Sequence, residues 1–159
     1  MEKLVHCKQF DTGFTCGTFD LLHAGHVLML EEAKQYCDHL IVGLQVDPTI
    51  DRPQKNSPIQ SIFERQVQLK GCRFVDSIVT YNTEADLLDI LQALTIDVRF
   101  VGEEYSNKDF TGKEYCLKNN IAIVYKQRKH RFSSSELRNR IQVPTAFVFT
   151  EQHTSQVLG

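Results

Sequence analysis

The chain has no tryptophan, two methionines and four prolines, and three of those prolines fall between Asp47 and Gln60. No apolar run approaches the roughly 20 residues that a membrane-crossing helix requires. The first residues lack the order of a secretory leader, a basic start followed by an apolar stretch and a small-residue cleavage site. The five cysteines are an odd number and form no CxxC pair, so no disulfide framework can be read from them. They are expected to be reduced, mostly buried small hydrophobes of a cytoplasmic protein. A formal charge of −2 excludes a general nucleic-acid binder, which needs a strongly basic surface. Neither a nucleic acid nor a membrane is therefore an expected partner. Internal repeats and low-complexity segments are also missing.

What is present is the composition of an ordinary globular domain. Of 159 residues, 42% are apolar and 24% charged, enough for one buried core. Apolar, turn-bounded runs alternate with helical patterns. Gly13–Cys16, Asp38–Val46, Val75–Tyr81, Asp97–Gly102 and Ile121–Lys126 read as strands. Helices are expected from about Gly25, over Ser61–Gly71 and Glu84–Leu94, near Lys113–Asn119, and from Ser133 onward. Ser61 with Glu64, and Ser133 with Glu136, have capping-box spacing. The proline-rich stretch Asp47–Gln60 is a loop. Strands separated by helices predict an α/β fold, a Rossmann-like parallel sheet of about five strands with helices on both faces.

The segment Gly17-Thr18-Phe19-Asp20-Leu21-Leu22-His23-Ala24-Gly25-His26 follows the first strand and opens the first helix. A helix N-terminus offers unpaired N–H groups and partial positive charge, which suit a phosphate. Residues three apart on a helix differ by about 60° around its axis, so His23 and His26 can point to one place. Val27, Leu30, Ala33 and Cys37 share that arc and should face the sheet, with Glu31, Glu32 and Gln35 on the other side. Gly17 lets the backbone approach a ligand, and Gly25 removes bulk between the rings. Two plainer readings accompany this one: buried histidines satisfied by carbonyls, or a zinc pair. No third metal ligand stands at a suitable spacing, so no protein-held metal is expected. Asp20 at the helix entrance reads as a cap, or as a water-mediated contact to an ion.

His23-Ala24-Gly25-His26 matches the HxGH signature of the nucleotidyltransferase superfamily. The longer string GTFDLLHAGH resembles the cytidylyltransferase branch, glycerol-3-phosphate cytidylyltransferases in particular. The resemblance runs from about Phe14 to Ile141. It implies that His23 and His26 contact the nucleotide phosphates and stabilise the transition state. It implies nucleotide contacts from Gly17, Thr18, Phe19 and Gly25, and from Gly102, Glu104 and Tyr105 on the loop after the fourth strand. Arg128-Lys129-His130-Arg131-Phe132-Ser133-Ser134 resembles the family's RTxGxST motif, with Arg128, Ser133 and Ser134 at the triphosphate tail. Here Lys129 and Arg131 replace the motif's threonine and glycine. Lys55 matches the family's loop lysine, with Arg52 as the alternative, and Arg65 its following helix arginine, both directed at substrate phosphate.

The expected reaction is transfer of CMP from CTP to a phosphorylated small molecule, glycerol 3-phosphate or a similar polyol phosphate, with release of pyrophosphate. Mg²⁺ is expected to arrive with the triphosphate. An adenylyltransferase using ATP on a phosphorylated sugar or cofactor precursor is the alternative. A non-catalytic nucleotide sensor ranks below both. Residues 1–141 are expected to form the nucleotidyltransferase domain, and 142–159 an extension packing on it or on a second copy, since relatives of this type are commonly homodimers.

Overall fold

In the computed structural model, residues 8–127 and 130–142 are described. Five strands form one parallel sheet: β1 (Phe10–Gly17), β2 (Cys37–Gln45), β3 (Ser77–Tyr81), β4 (Val98–Gly102) and β5 (Ala122–Lys126). The helices between and after them are α1 (Ala24–Tyr36), α2 (Ile62–Lys70), α3 (Glu84–Ala93), α4 (Lys113–Lys118) and α5 (Ser134–Gln142). The strand order is β3-β2-β1-β4-β5. The order reverses at β1, so a crevice opens beyond the carboxyl ends of β1 and β4, where doubly wound sheets take ligands.

The core lies on both faces of the sheet. Leu30 and Ala33 of α1 and Leu69 of α2 pack with Leu40, Val42, Leu44, Val98 and Phe100 on one face. Leu87 and Leu91 of α3 and Cys116 of α4 pack with Phe14, Tyr81 and Ile121 on the other. Strand side chains alternate between faces, and β1 shows the consequence. Phe14 and Cys16 belong to the α3 side. Thr15 instead donates to the Phe100 carbonyl, at 3.3 Å, and reaches Met29 of α1.

Local signals define the helix ends. Ser61 and Glu64 form the expected reciprocal cap on α2, and Thr83 with Asp86 forms the same device on α3. Such a cap contributes about 1 kcal/mol. Gly112 enters α4 at φ +80°, and a Cβ there would come within 2.4 Å of Leu91 and 2.8 Å of the Arg99 guanidinium. Among the described residues no helix is long and apolar enough to cross a membrane. Four cysteines, Cys16, Cys37, Cys72 and Cys116, are free thiols, with Cys37 and Cys116 buried. Burial pushes the Cys37 thiol above its ordinary pKa. Residues 143–159, most of the expected extension, lie outside the described residues.

Candidate active site

The loop between β1 and α1 carries two non-glycine residues in the left-handed region, Phe19 at φ 49° and Leu21 at φ 51°. Each costs about 1–2 kcal/mol relative to ordinary backbone, so the loop needs outside support. Asp20, buried between them, provides it. Its carboxylate accepts from the backbone N–H of Ile59 (3.0 Å) and Gln60 (2.9 Å) and from the Arg138 guanidinium (2.6 Å). Its carbonyl accepts from the Ser134 hydroxyl, and the Leu21 N–H donates to Gln60 Oε1. One aspartate thus ties the motif loop to the proline-rich loop and to α5. Burial raises the Asp20 pKa, but the two backbone donors and Arg138 outweigh it and hold the carboxyl below its usual range. The expectation that Asp20 caps α1 is corrected: its oxygens are used by partners distant in sequence.

His23 is the cap instead. Its Nδ1 accepts the Gly25 N–H at 3.1 Å, and the His26 ring accepts from the His23 N–H through Nδ1 at 3.4 Å. The HxGH motif is therefore itself a capping box, with imidazoles in the roles usually taken by a hydroxyl and a carboxylate. The rings stack with centroids 3.9 Å apart, and Phe19 lies 5.2 Å from His26. Accepting at Nδ1 assigns the neutral-ring proton to Nε2 on both histidines. Two Nε2–H donors then come as a pair from one helix start. A Cβ at Gly25 would stand 3.0 Å from the His23 ring and 2.6 Å from Cε1 of His130. Gly25 thus makes room for two imidazoles, one of which the sequence reading did not assign to the site.

Both histidines line a cleft of about 950 Å³ at the carboxyl edge of the sheet. Gly17, Thr18, Phe19 and Gly25 line it near them. Gly102, Glu104 and Tyr105 wall it beyond β4, where Glu104 folds back over Gly102, 2.2 Å from where a Cβ would stand. Ser133 and Ser134 close it from α5, Ser133 accepting the Glu136 N–H at 3.0 Å as the expected helix cap. Arg52 and Lys55 reach it from the proline-rich loop. The two differ in engagement. Arg52 pairs with Glu84 at 3.0 Å and donates to Gln45 Oε1 at 3.0 Å. Lys55 is exposed, and its ammonium has no partner among the described residues.

Two expected site residues need separate mention. Arg128 lies outside the described residues. Arg65, expected at a substrate phosphate, is corrected by its surroundings. It is 2% exposed and donates to the carbonyls of Gln60, Thr18, Gln45 and Val46 at 2.7–3.1 Å. Its guanidinium clamps the motif loop to the end of β2 and does not line the cleft. Glu32, expected on the side of α1 away from the sheet-facing arc, pairs with Lys126 at 3.1 Å. The Lys126 ammonium also lies over the Tyr36 ring, 3.8 Å from its centroid. Lys126, Arg99 and Gln45 are cleft residues that the sequence does not single out, and His130 of the RTxGxST-like segment joins them. A charged residue ending or interrupting an apolar strand, as in IAIVYK and DVRFVG, was the available signal.

The family model for cytidylyltransferase-like domains matches residues 14–140. The chain belongs to this family. Among curated relatives of this cytidylyltransferase-like chain, the bifunctional protein HldE of Helicobacter hepaticus is 39% identical over 110 residues, 69% of this chain and 23% of that protein. HldE of Caulobacter sp. strain K31 is 35% identical over 133 residues, 83% of this chain and 27% of that protein. The chain spans about a quarter of the length of the curated relatives it matches. A solved lipopolysaccharide core biosynthesis protein from Thermoplasma volcanium has a TM-score of 0.56 at 26% identity, covering 74% of this chain and 93% of that one. A pantoate-β-alanine ligase from Francisella tularensis has a TM-score of 0.58 at 18% identity, covering 83% and 66%, a likeness of fold alone.

Proposed function

We propose that this domain transfers AMP from ATP to a phosphorylated sugar and releases pyrophosphate. The observation that carries the chemistry is the stacked His23–His26 capping box in the wall of the cleft. A nucleotidyl transfer between two anions demands positioning and charge neutralisation more than a strong base. An oxygen of the acceptor phosphate attacks the α-phosphorus in line. The new P–O bond forms as the bond to the β-phosphate oxygen breaks, and that oxygen keeps the electron pair. The Nε2–H groups of His23 and His26 donate to α-phosphate oxygens, where charge builds. Thr18 and the start of α1 hold phosphate. Lys55, exposed at the rim, bridges acceptor and nucleotide, while Arg52 stays with Glu84. Ser133 and Ser134, with Arg128, take the triphosphate tail.

Mg²⁺ entering with the nucleotide would screen phosphate charge and take its ligands from phosphate and water. Among the described residues no group of three or more His, Cys, Asp or Glu is placed to hold a metal ion, so no protein group is assigned to it.

Preference for ATP over the CTP expected from the motif rests on the relatives. HldE proteins and a lipopolysaccharide core protein favour a nucleotide-activated sugar, with a heptose 1-phosphate the first acceptor to try. Pyrophosphate release with ATP and CTP, each against heptose 1-phosphate, glucose 1-phosphate and glycerol 3-phosphate, tests this. At least about tenfold higher kcat/KM with ATP and a sugar phosphate is expected. Higher turnover with CTP and glycerol 3-phosphate would restore the cytidylyl reading. Nucleotide binding without turnover on any acceptor would favour the sensor.

A further inference from the structure

Among the described residues two arginines are buried to nearly the same depth, Arg65 at 2% exposure and Arg99 at 3%. They are served very differently. Arg65 meets four carbonyl oxygens. Arg99 meets one, the carbonyl of Thr111, together with a long contact to Cys16 Sγ at 3.9 Å and the Phe110 ring 5.0 Å away. Its Nε is buried without an acceptor, and no carboxylate pairs with it among the described residues. A buried cation this poorly supplied is costly unless something else completes it. Unlike Arg65, it lines the cleft.

The shortage extends to its neighbours. Arg99 reaches Thr111, whose hydroxyl donates to Glu84; Glu84 pairs with Arg52, and Arg52 donates to Gln45. Along this chain Arg52 Nε and Gln45 Nε2 are also buried without acceptors. All three orphan atoms are donors, and all three residues line the cleft. The single carboxylate side chain in this hydrogen-bonded network, Glu84, is already taken by Arg52 and Thr111. This lobe lies on the α3 face of the sheet, beside Cys16 and Tyr81, whereas the histidine pair starts α1 on the opposite face.

We propose that this lobe is the acceptor pocket, and that Arg99 selects acceptors carrying a second oxyanion away from the phosphate that attacks. The acceptor class is a sugar phosphate bearing a carboxylate or a further phosphate. The inference rests on the nucleotidyl-transfer reading and ranks its acceptors: a sugar with a single phosphate, heptose 1-phosphate included, should be a poorer substrate than one with a second anionic group. The attacking phosphate stays near Lys55 and the histidines. The sugar body extends into the lobe, and its far anion supplies the counter-charge that no carboxylate gives Arg99 among the described residues, at the part of the side chain that lines the cleft.

The test compares glucose 1-phosphate, glucuronic acid 1-phosphate and glucose 1,6-bisphosphate as acceptors with ATP, in the wild type, Arg99→Met and Arg99→Lys. The second and third probes separate a carboxylate from a phosphate as the distal group. Wild type is expected to prefer one of the doubly charged acceptors by at least about tenfold in kcat/KM, through KM, as a charge-assisted pair predicts. Arg99→Met should bring that ratio close to one, and Arg99→Lys should restore part of it. Thermal shifts of the unliganded protein with the same three probes give a readout independent of turnover. No charge preference in either assay would overturn the proposal while leaving nucleotidyl transfer standing. Equal loss of all acceptors and of ATP binding in Arg99→Met would make Arg99 structural and also overturn it. Failure of the wild type to bind ATP or CTP would instead overturn the nucleotidyl-transfer reading beneath it.

Discussion

Replacing Arg65 with methionine separates a structural clamp from a substrate contact. The side chain is nearly the same length, so the loss is of charge and donors, not of bulk. Four main-chain carbonyls lose a donor: Thr18 in the motif loop, Gln45 and Val46 at the end of β2, and Gln60 before α2. A buried group stranded in this way costs about 1–3 kcal/mol, and the low end applies where a carbonyl keeps another contact. Four at the low end give about 4 kcal/mol. Removing the guanidinium also removes its own burden of burial, which already pulls its pKa below the ordinary arginine range. The net loss should be about 3 kcal/mol. For a chain of 159 residues that lowers Tm by roughly 6–12 °C.

The assay is thermal or urea unfolding of Arg65→Met beside steady-state kinetics well below its Tm. Activity per folded molecule should fall by less than about tenfold, because the residue does not touch the cleft. Arg65→Lys should recover only part of the stability, since one ammonium cannot span the positions that a planar fork reaches. An unchanged Tm with a large rise in the acceptor KM would refute the clamp and return Arg65 to the substrate phosphate.

Replacing His26 with alanine should reduce turnover by about 10²–10³, the range for one lost transition-state donor, with ATP affinity changed only a few-fold. Because His26 is also half of the α1 capping box, unfolding should show a loss of about 1 kcal/mol, which a purely catalytic residue would not give. Lys55→Ala should leave Tm unchanged and lower kcat/KM by about tenfold or more, whereas Arg52→Ala should lower Tm through its broken contacts to Glu84 and Gln45. For Asp20, whose folded pKa lies below its unfolded value of about 3.9, the stabilisation is complete above that value and fades as pH falls through the depressed one. Wild-type Tm should therefore drop steeply below about pH 4. Asp20→Asn should be less stable at pH 7 and flatter across the acid range; a slope identical to wild type would mean that Asp20 does not carry the acid sensitivity.

What could be read from the sequence, and what could not, divides by distance along the chain. The five strands and the caps at Ser61 and Ser133 depend on neighbours within a few residues, and each was found within a few positions of its expected place. The histidine pair was legible for the same reason, although its capping role was not, because imidazoles rarely hold those positions. Asp20 illustrates the opposite case. Its partners stand 39, 40 and 118 residues away, and nothing local distinguishes a hub from a helix cap. The arginines make the same point more sharply. Arg65 on a helix and Arg52 in a loop both looked like surface cations available to a phosphate, yet one is clamped onto carbonyls and the other is held by Glu84. Arg99, inside an apolar strand, drew no assignment from the sequence, yet it is the buried guanidinium left short of acceptors. Whether an arginine serves the fold or a ligand depends on how many oxygens the tertiary structure brings to its N–H groups. That count exists only after β1, β2 and β4 are side by side. A charged residue in the middle of an apolar strand was the one local mark that something beyond packing was needed there.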